Sequence, residues 1–350
     1  MKPYTVVLII PTGIGATIGG YAGDALPVAR AIAKSCDRLI THPNVLNGAQ
    51  LYWPLPNAFY VEGFGLDQFA KGHWGLQSVH QNRVGLILDR AIEPDLRLRH
   101  LQVAEGCRAT LGLNLTDYVV TDAPLDVELR SSASGASWGT IGNTGSLLRA
   151  AEALIQQAQA QAIAIVARFP DDLDRLALEK YRHGCGVDPL AGAEAVISHL
   201  IVRQFRIPAA HAPALSPLPL DPSISPKSAA EEIGYTFLPC VLVGLSRAPQ
   251  FVTQPTHESI WTDQVDAVII PESACGGSAI LSFSQQKTVI IAVENNQTMM
   301  QVSPEPIGIK AIKVNSYIEA LGLLVAHRAG ISFESLNPSI FPLRCLSNVL

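Results

Sequence analysis

The sequence predicts an α/β protein with a mainly parallel, Rossmann-like layered sheet. Three observations lead there. Short β-branched, apolar runs such as residues 5–10 and 162–167 have the composition of strands buried on both faces. Amphipathic helical stretches alternate with these runs, in the order of βαβ units. Turns rich in glycine, serine or asparagine follow several of the runs, where a doubly wound sheet places its ligand crevice. Only 16% of residues are charged, against about 25% in average soluble proteins, which argues for a packed core and against disorder.

The elements follow in order. Residues 5–10 read as a strand, 13–23 as its loop and 24–35 as a helix with Leu26, Ala29, Ile32 and Ala33 on one face. A second strand at 38–41 ends at His42-Pro43-Asn44. Residues 48–80 hold Tyr52, Trp53, Phe59, Tyr60, Phe64, Phe69 and Trp74 among prolines and glycines, an aromatic excursion that reads as a lid or an interface. A strand at 84–88, a helix at 96–111 and strand-like segments at 117–121 and 125–129 come next. Residues 131–146 are small and polar and read as a second loop, with Thr144 or Ser146 capping a helix over 147–158. Asp188-Pro189 opens a helix to about residue 205. Residues 208–226, with six prolines, read as a linker or crossing loop. Ser228-x-x-Glu231 is a capping box for a short helix that Gly234 stops. Strands at 267–270 and 289–293 lead into polar turns, and the last helix runs from the capping box Ser316-x-x-Glu319 to Gly330. The chain divides into lobes 1–130 and 131–350, or forms one integrated unit.

Several function classes are excluded at this level. A net charge of −5 gives no reason to expect nucleic acid. No apolar run approaches the roughly 20 residues of a spanning helix, and Pro11, Gly13 and Gly15 break the one run that resembles a leader. Six cysteines without a Cys-x-x-Cys pair fit a reducing compartment, so a cytoplasmic protein without a membrane partner is expected. Neither His-x-x-x-His nor His-Glu-x-x-His occurs, so no metal site is expected; the cofactor stays unknown and a homo-oligomer stays open.

The site candidates are of three kinds. Gly13-x-Gly15-x-x-x-Gly19 follows a strand, as phosphate-binding loops do. Its spacing departs from the dinucleotide fingerprint, and Asn44 lies where a ribose-binding acid is expected. Gly139, Gly142, Thr144, Gly145 and Ser146 form the better anion cradle, before a helix. Glu272, Gly276, Gly277, Glu294 and Asn295 follow strands and belong to the same crevice edge. For chemistry, His42 or His211 would act as acid or base, and Asp188 as an orienting group or helix cap. Cys185, between glycines before a helix, would be the nucleophile, with His183 nearby in sequence. The reading is a cytoplasmic enzyme acting on a small anionic metabolite or nucleotide. The alternatives are a non-catalytic ligand-binding or regulatory protein, and an NAD(P)-dependent oxidoreductase.

Five strings carry a resemblance. They are Pro11-Thr-Gly-Ile-Gly-Ala16, Thr41-His-Pro-Asn-Val45, Gly186-Val-Asp-Pro189 with Glu194 and Ser198-His199, Gly234-Tyr-Thr-Phe-Leu-Pro239, and Val293-Glu-Asn-Asn296. Together they resemble an uncharacterised family, domain of unknown function 3326, of cyanobacteria and plastid-bearing eukaryotes. The resemblance spans nearly the whole chain and implies one integrated unit in a bacterial cytoplasm. It implies no activity, cofactor or catalytic residue.

Overall fold

The computed structural model describes residues 2–48, 54–171, 175–233 and 236–343. The chain opens with β1 (Thr5–Leu8), α1 (Leu26–Ser35), β2 (Arg38–Thr41), α2 (Pro43–Leu46), β3 (Ala58–Tyr60), α3 (Gly63–Ala70) and β4 (Gly75–Gln77). It continues with β5 (Val84–Leu88), α4 (Pro94–Leu111), β6 (Leu115–Val120), β7 (Val127–Ser131), β8 (Ser137–Ile141), α5 (Thr144–Gln157) and β9 (Ala162–Arg168). Then come α6 (Arg175–Arg182), α7 (Ala191–Phe205), β10 (Ala209–Ala214), α8 (Pro226–Ile233), α9 (Leu238–Ser246), β11 (Gln250–Val252) and β12 (Ser259–Ile260). The chain closes with β13 (Ala267–Pro271), α10 (Ser278–Phe283), β14 (Val289–Val293), β15 (Ile312–Val314) and α11 (Tyr317–Arg328).

The α/β class predicted from the sequence is what the chain forms. Six strands in the order β15-β14-β13-β1-β2-β3 make one parallel sheet, and four in the order β10-β9-β5-β6 make a second. The central strands of both sheets are buried on both faces, which is why they read as continuous apolar runs; on the edge strand β6, Asp117 and Tyr118 are exposed. Val6, Leu8, Leu86, Leu88, Ala164 and Val166 face one core layer with Ala29 of α1 and Leu242 of α9. Val7, Ile87, Ile163 and Ile165 face the other, with Phe69 of α3, Leu154 of α5, Ile197 of α7 and Phe283 of α10. Each layer therefore continues from one sheet to the next. The six-stranded sheet takes its strands from residues 5–60 and 267–314, the four-stranded sheet from 84–214. A boundary at residue 130 falls inside β7.

Three segments differ from their sequence reading. Most of residues 131–146 is not a loop: β7 and β8 pair as an antiparallel hairpin. The small residues are needed because α7 lies on that hairpin, with Gly192 against Ser137 and Trp138 and Gly139 against Ala193. The first six residues after Ile207 and Pro208 are no linker but β10, an edge strand paired with β9, and only the stretch between β10 and α8 crosses the surface. In the 48–80 segment, Phe64, Trp74 and Phe251 pack ring to ring at 5.8 and 5.2 Å, and Phe69 meets Phe283 at 6.3 Å. These rings are part of the framework; Tyr52 and Trp53, and Gly234 with its expected helix stop, lie outside the described residues. Among the described residues, no helix is long and apolar enough to cross a membrane.

Candidate functional site

The carboxyl ends of both parallel sheets open into one cavity of about 900 Å³. Pro11 and Thr12 after β1, His42 and Asn44 after β2, and Gly277 and Ser278 after β13 form its floor. His211 of β10 and the face of α7 form the opposite wall, and residues 215–218 and Leu220 cross its mouth. Ligand crevices of open parallel sheets lie at this edge, because the strands end there and the loops diverge.

Helix α7 supplies most of the polar wall. Asp188 precedes it and accepts the Leu190 N–H at 2.8 Å. Glu194 and Ser198, one turn apart, face His211: Nδ1 shares a hydrogen bond with Ser198 Oγ at 3.1 Å, while Nε2 stands 3.7 Å from Glu194 Oε2, beyond hydrogen-bond reach. Glu231 of α8 accepts from the Tyr181 hydroxyl at 2.9 Å and from the Ala22 N–H. Tyr21 stacks on Tyr181 at 4.4 Å.

Burial sets the protonation of these groups. It drives the Asp188 carboxyl up to about 6 and that of Glu231 up to about 8. Glu194 goes well above the ordinary carboxylate range, burial being the main cause and the neighbouring carboxyls Asp188 and Glu231 adding to it. The same burial lowers His211 to about 3 and His42 to about 4. His211 and Glu194 are thus a neutral pair rather than an ion pair. His42 Nε2 accepts the Ile10 N–H at 3.0 Å, so the neutral ring carries its proton on Nδ1, at the cavity.

His199 is the exception. Its Nδ1 donates to Glu62, whose other oxygen accepts the N–H groups of Phe64 and Gly65 at 2.8 and 3.1 Å and so caps α3. Burial opposes the imidazolium, but the hydrogen bond and charge of Glu62 win, and the His199 pKa is raised. A carboxylate that fixes one ring nitrogen leaves the other, Nε2, to exchange protons at the cavity. Glu179, His183 and Asp221 form a separate group on the outer surface, with ligand atoms within 4.8 Å of one another.

Residues 5–337 match the family described as "Protein of unknown function (DUF3326)". The chain belongs to this family. It is 60% identical over 339 residues to a protein of Synechococcus sp. named an uncharacterized lipoprotein, covering 96% of this chain and 94% of that one. No solved structure matches. The relative's name overturns the expected cytoplasmic location, which rested on the cysteine pattern and on the interrupted N-terminal run.

The cavity of this family member brings together His42, Asn44, Asp188, His211 and Gly277 from the sequence candidates. Asn44 also donates to the Gly19 carbonyl at 2.9 Å and so holds the first glycine loop. That loop is filled by the protein itself: Gly13 meets Ser137, Gly15 meets Val187 and Met299, and Gly19 meets Ile10. Gly142 meets Asp126, and Gly145 meets Arg149. At the start of α5, neither Thr144 nor Ser146 is the N-cap; Asn143 is. Ser146 donates to Asp122, whose carboxylate stands where an anion would and is held down at about 2 by Arg149 and Ser146. Glu272 pairs with Lys313 at 3.0 Å, Gly276 meets Val302, and Glu294 and Asn295 are exposed at the end of their strand. Cys185 is exposed and off the cavity wall, and His183 bonds the Glu179 carbonyl and Ser223 instead of the thiol.

Sequence reasoning passed over Glu62, Tyr181, Ser198 and Glu231 as site residues. One signal was available: Glu194 and Ser198 share a helix face with no charged partner in reach. Glu231 was hidden by a rule that fits it, because α8 starts at Pro226, two residues before Ser228, and the carboxyl turns to Tyr181 and Ala22 instead of capping.

Proposed function

We propose that this chain is an enzyme that moves protons on a small molecule held in the cavity. One observation carries the reading: a carboxyl group that burial keeps protonated, Glu231, lines the same cavity as His199, an imidazole whose proton affinity Glu62 raises. An acid and a base that both exchange protons near neutral pH serve the two halves of a proton-transfer reaction, such as an enolisation or a dehydration. Glu231 would give a proton, and the Glu62-held His199 would take one. The volume suits a metabolite-sized ligand. The acidic wall turns the preference away from the anion expected of the glycine loops. The NAD(P) reading gains nothing, since Thr41 donates to the Leu8 carbonyl and His42 follows it where a ribose-binding acid is needed.

A second reading has the relative's name behind it. A lipoprotein-like location would suit a protein that holds a ligand at a membrane surface without converting it. Incubation in D2O with a pool of small metabolites separates the two. An enzyme puts deuterium into one component and Glu231→Gln or His199→Gln abolishes this. A component that is retained by the protein but recovered without exchange or conversion overturns the enzyme reading in favour of binding.

A further inference from the structure

We infer that the ligand of this cavity carries a positive charge, an alkylammonium, arylammonium or guanidinium group seated between Asp188, Glu194 and Glu231. The inference rests on the cavity being a ligand site.

The three carboxyls line one cavity, from the residues before α7, its first turn and α8; Asp188 raises the proton affinity of the other two, and Glu231 that of Glu194. Buried carboxyls need a cation or a proton. Among the described residues no cationic side chain is paired with any of the three. Lys227 is committed to Asp24 at 2.9 Å, and Arg182 to Glu232 at 2.9 Å and to the Pro219 carbonyl at 2.7 Å.

Glu194 adds an independent observation. It lines the cavity, its side chain is 16% exposed and it makes no side-chain hydrogen bond, His211 at 3.7 Å being too far. A carboxyl drawn largely out of water and left without a partner is completed by a ligand that donates to it. A metal ion is a poor completion. Among the described residues these oxygens do not gather within the 4.8 Å span seen at Glu179, His183 and Asp221. An ammonium or guanidinium group donates in several directions and spans a looser set. The rest of the wall, including Leu66, Leu178, Leu190 and Leu215, suits a hydrocarbon body. The occupant is therefore an amphipathic amine, whose charge would take the place of the proton on Glu194 and Asp188 and leave Glu231 as the proton donor.

The full chain is titrated calorimetrically and by thermal shift with three matched probes: phenethylammonium, the neutral 2-phenylethanol and the anion phenylacetate. The ammonium should bind at least tenfold tighter than the alcohol. Glu194→Gln should remove most of that preference and leave alcohol binding unchanged. Circular dichroism checks folding, and Glu231→Gln replaces the first variant if that one does not fold. Equal binding of ammonium and alcohol, or tighter binding of phenylacetate, overturns the cation inference and leaves the cavity standing as a ligand site. Binding of none of the three at millimolar concentration overturns both.

Discussion

Glu62 does two things with two oxygens: one caps α3, and the other holds the Nδ1 proton of His199. The consequences separate by substitution. Glu62→Gln keeps the size but loses the charge, so the His199 pKa should fall, with burial then opposed mainly by the charge of Asp67. Histidine titration by NMR checks this. The sign for stability follows from linkage. A histidine whose folded pKa is raised stabilises the fold fully below pH 6.5, and that contribution fades as pH rises through the raised value. The stability gap between wild type and Glu62→Gln should therefore be larger at pH 5.5 than at pH 8.5 in urea titrations. Glu62→Ala should cost about 1 kcal/mol more at both values, because the cap goes too.

Elements are held by contacts that local propensity does not report. Gly192 sits in the first turn of α7, where alanine is normally better by about 1 kcal/mol. A Cβ there would lie far inside contact distance of the Ser137 carbonyl and the Trp138 Cα, both backbone groups of β8. Gly192→Ala should therefore destabilise by on the order of 2 kcal/mol, opposite in sign to the propensity, as the hairpin is pushed off the helix. A denaturant midpoint decides the sign. The last helix behaves as its sequence reads: Ser316 accepts the Glu319 N–H at 3.3 Å, and Ser316→Ala should cost about 1 kcal/mol by the same measurement. Local signals were legible where the partner lies within one turn, as at Ser316. They misled where a distant element claims the side chain, as α6 claims Glu231 through Tyr181. The run of small residues at 131–146 misled in the same way, since close approach to a helix and close approach to a phosphate call for the same glycines.

At the scale of the whole molecule, the parallel class was legible because the central strands of both sheets are covered on both faces and are apolar almost throughout. The crevice at the strand ends was legible for the same reason, and His42, Asp188 and His211 do meet there. Its charge was not, because Glu194 and Glu231 lie some forty positions apart on separate helices. The convergence leaves a trace in global stability. Between pH 6.5 and 8.5 the folded chain keeps a proton on Glu231, with its carboxyl raised to about 8, that the unfolded chain has already lost. The folded state then binds more protons than the unfolded one, so stability falls as pH rises through this window. Asp188, raised only to about 6, has finished its share of the fall near the start of the window, and His211 and His42 are neutral in the folded state throughout. Glu231 alone should cost about 2 kcal/mol across these two pH units. Glu231→Gln keeps a donor and acceptor at the same place and cannot ionise. Its urea midpoint should therefore decline by less than that of the wild type between pH 6.5 and 8.5. Parallel declines in the two proteins would mean that Glu231 is ionised in the folded chain, with its charge already balanced.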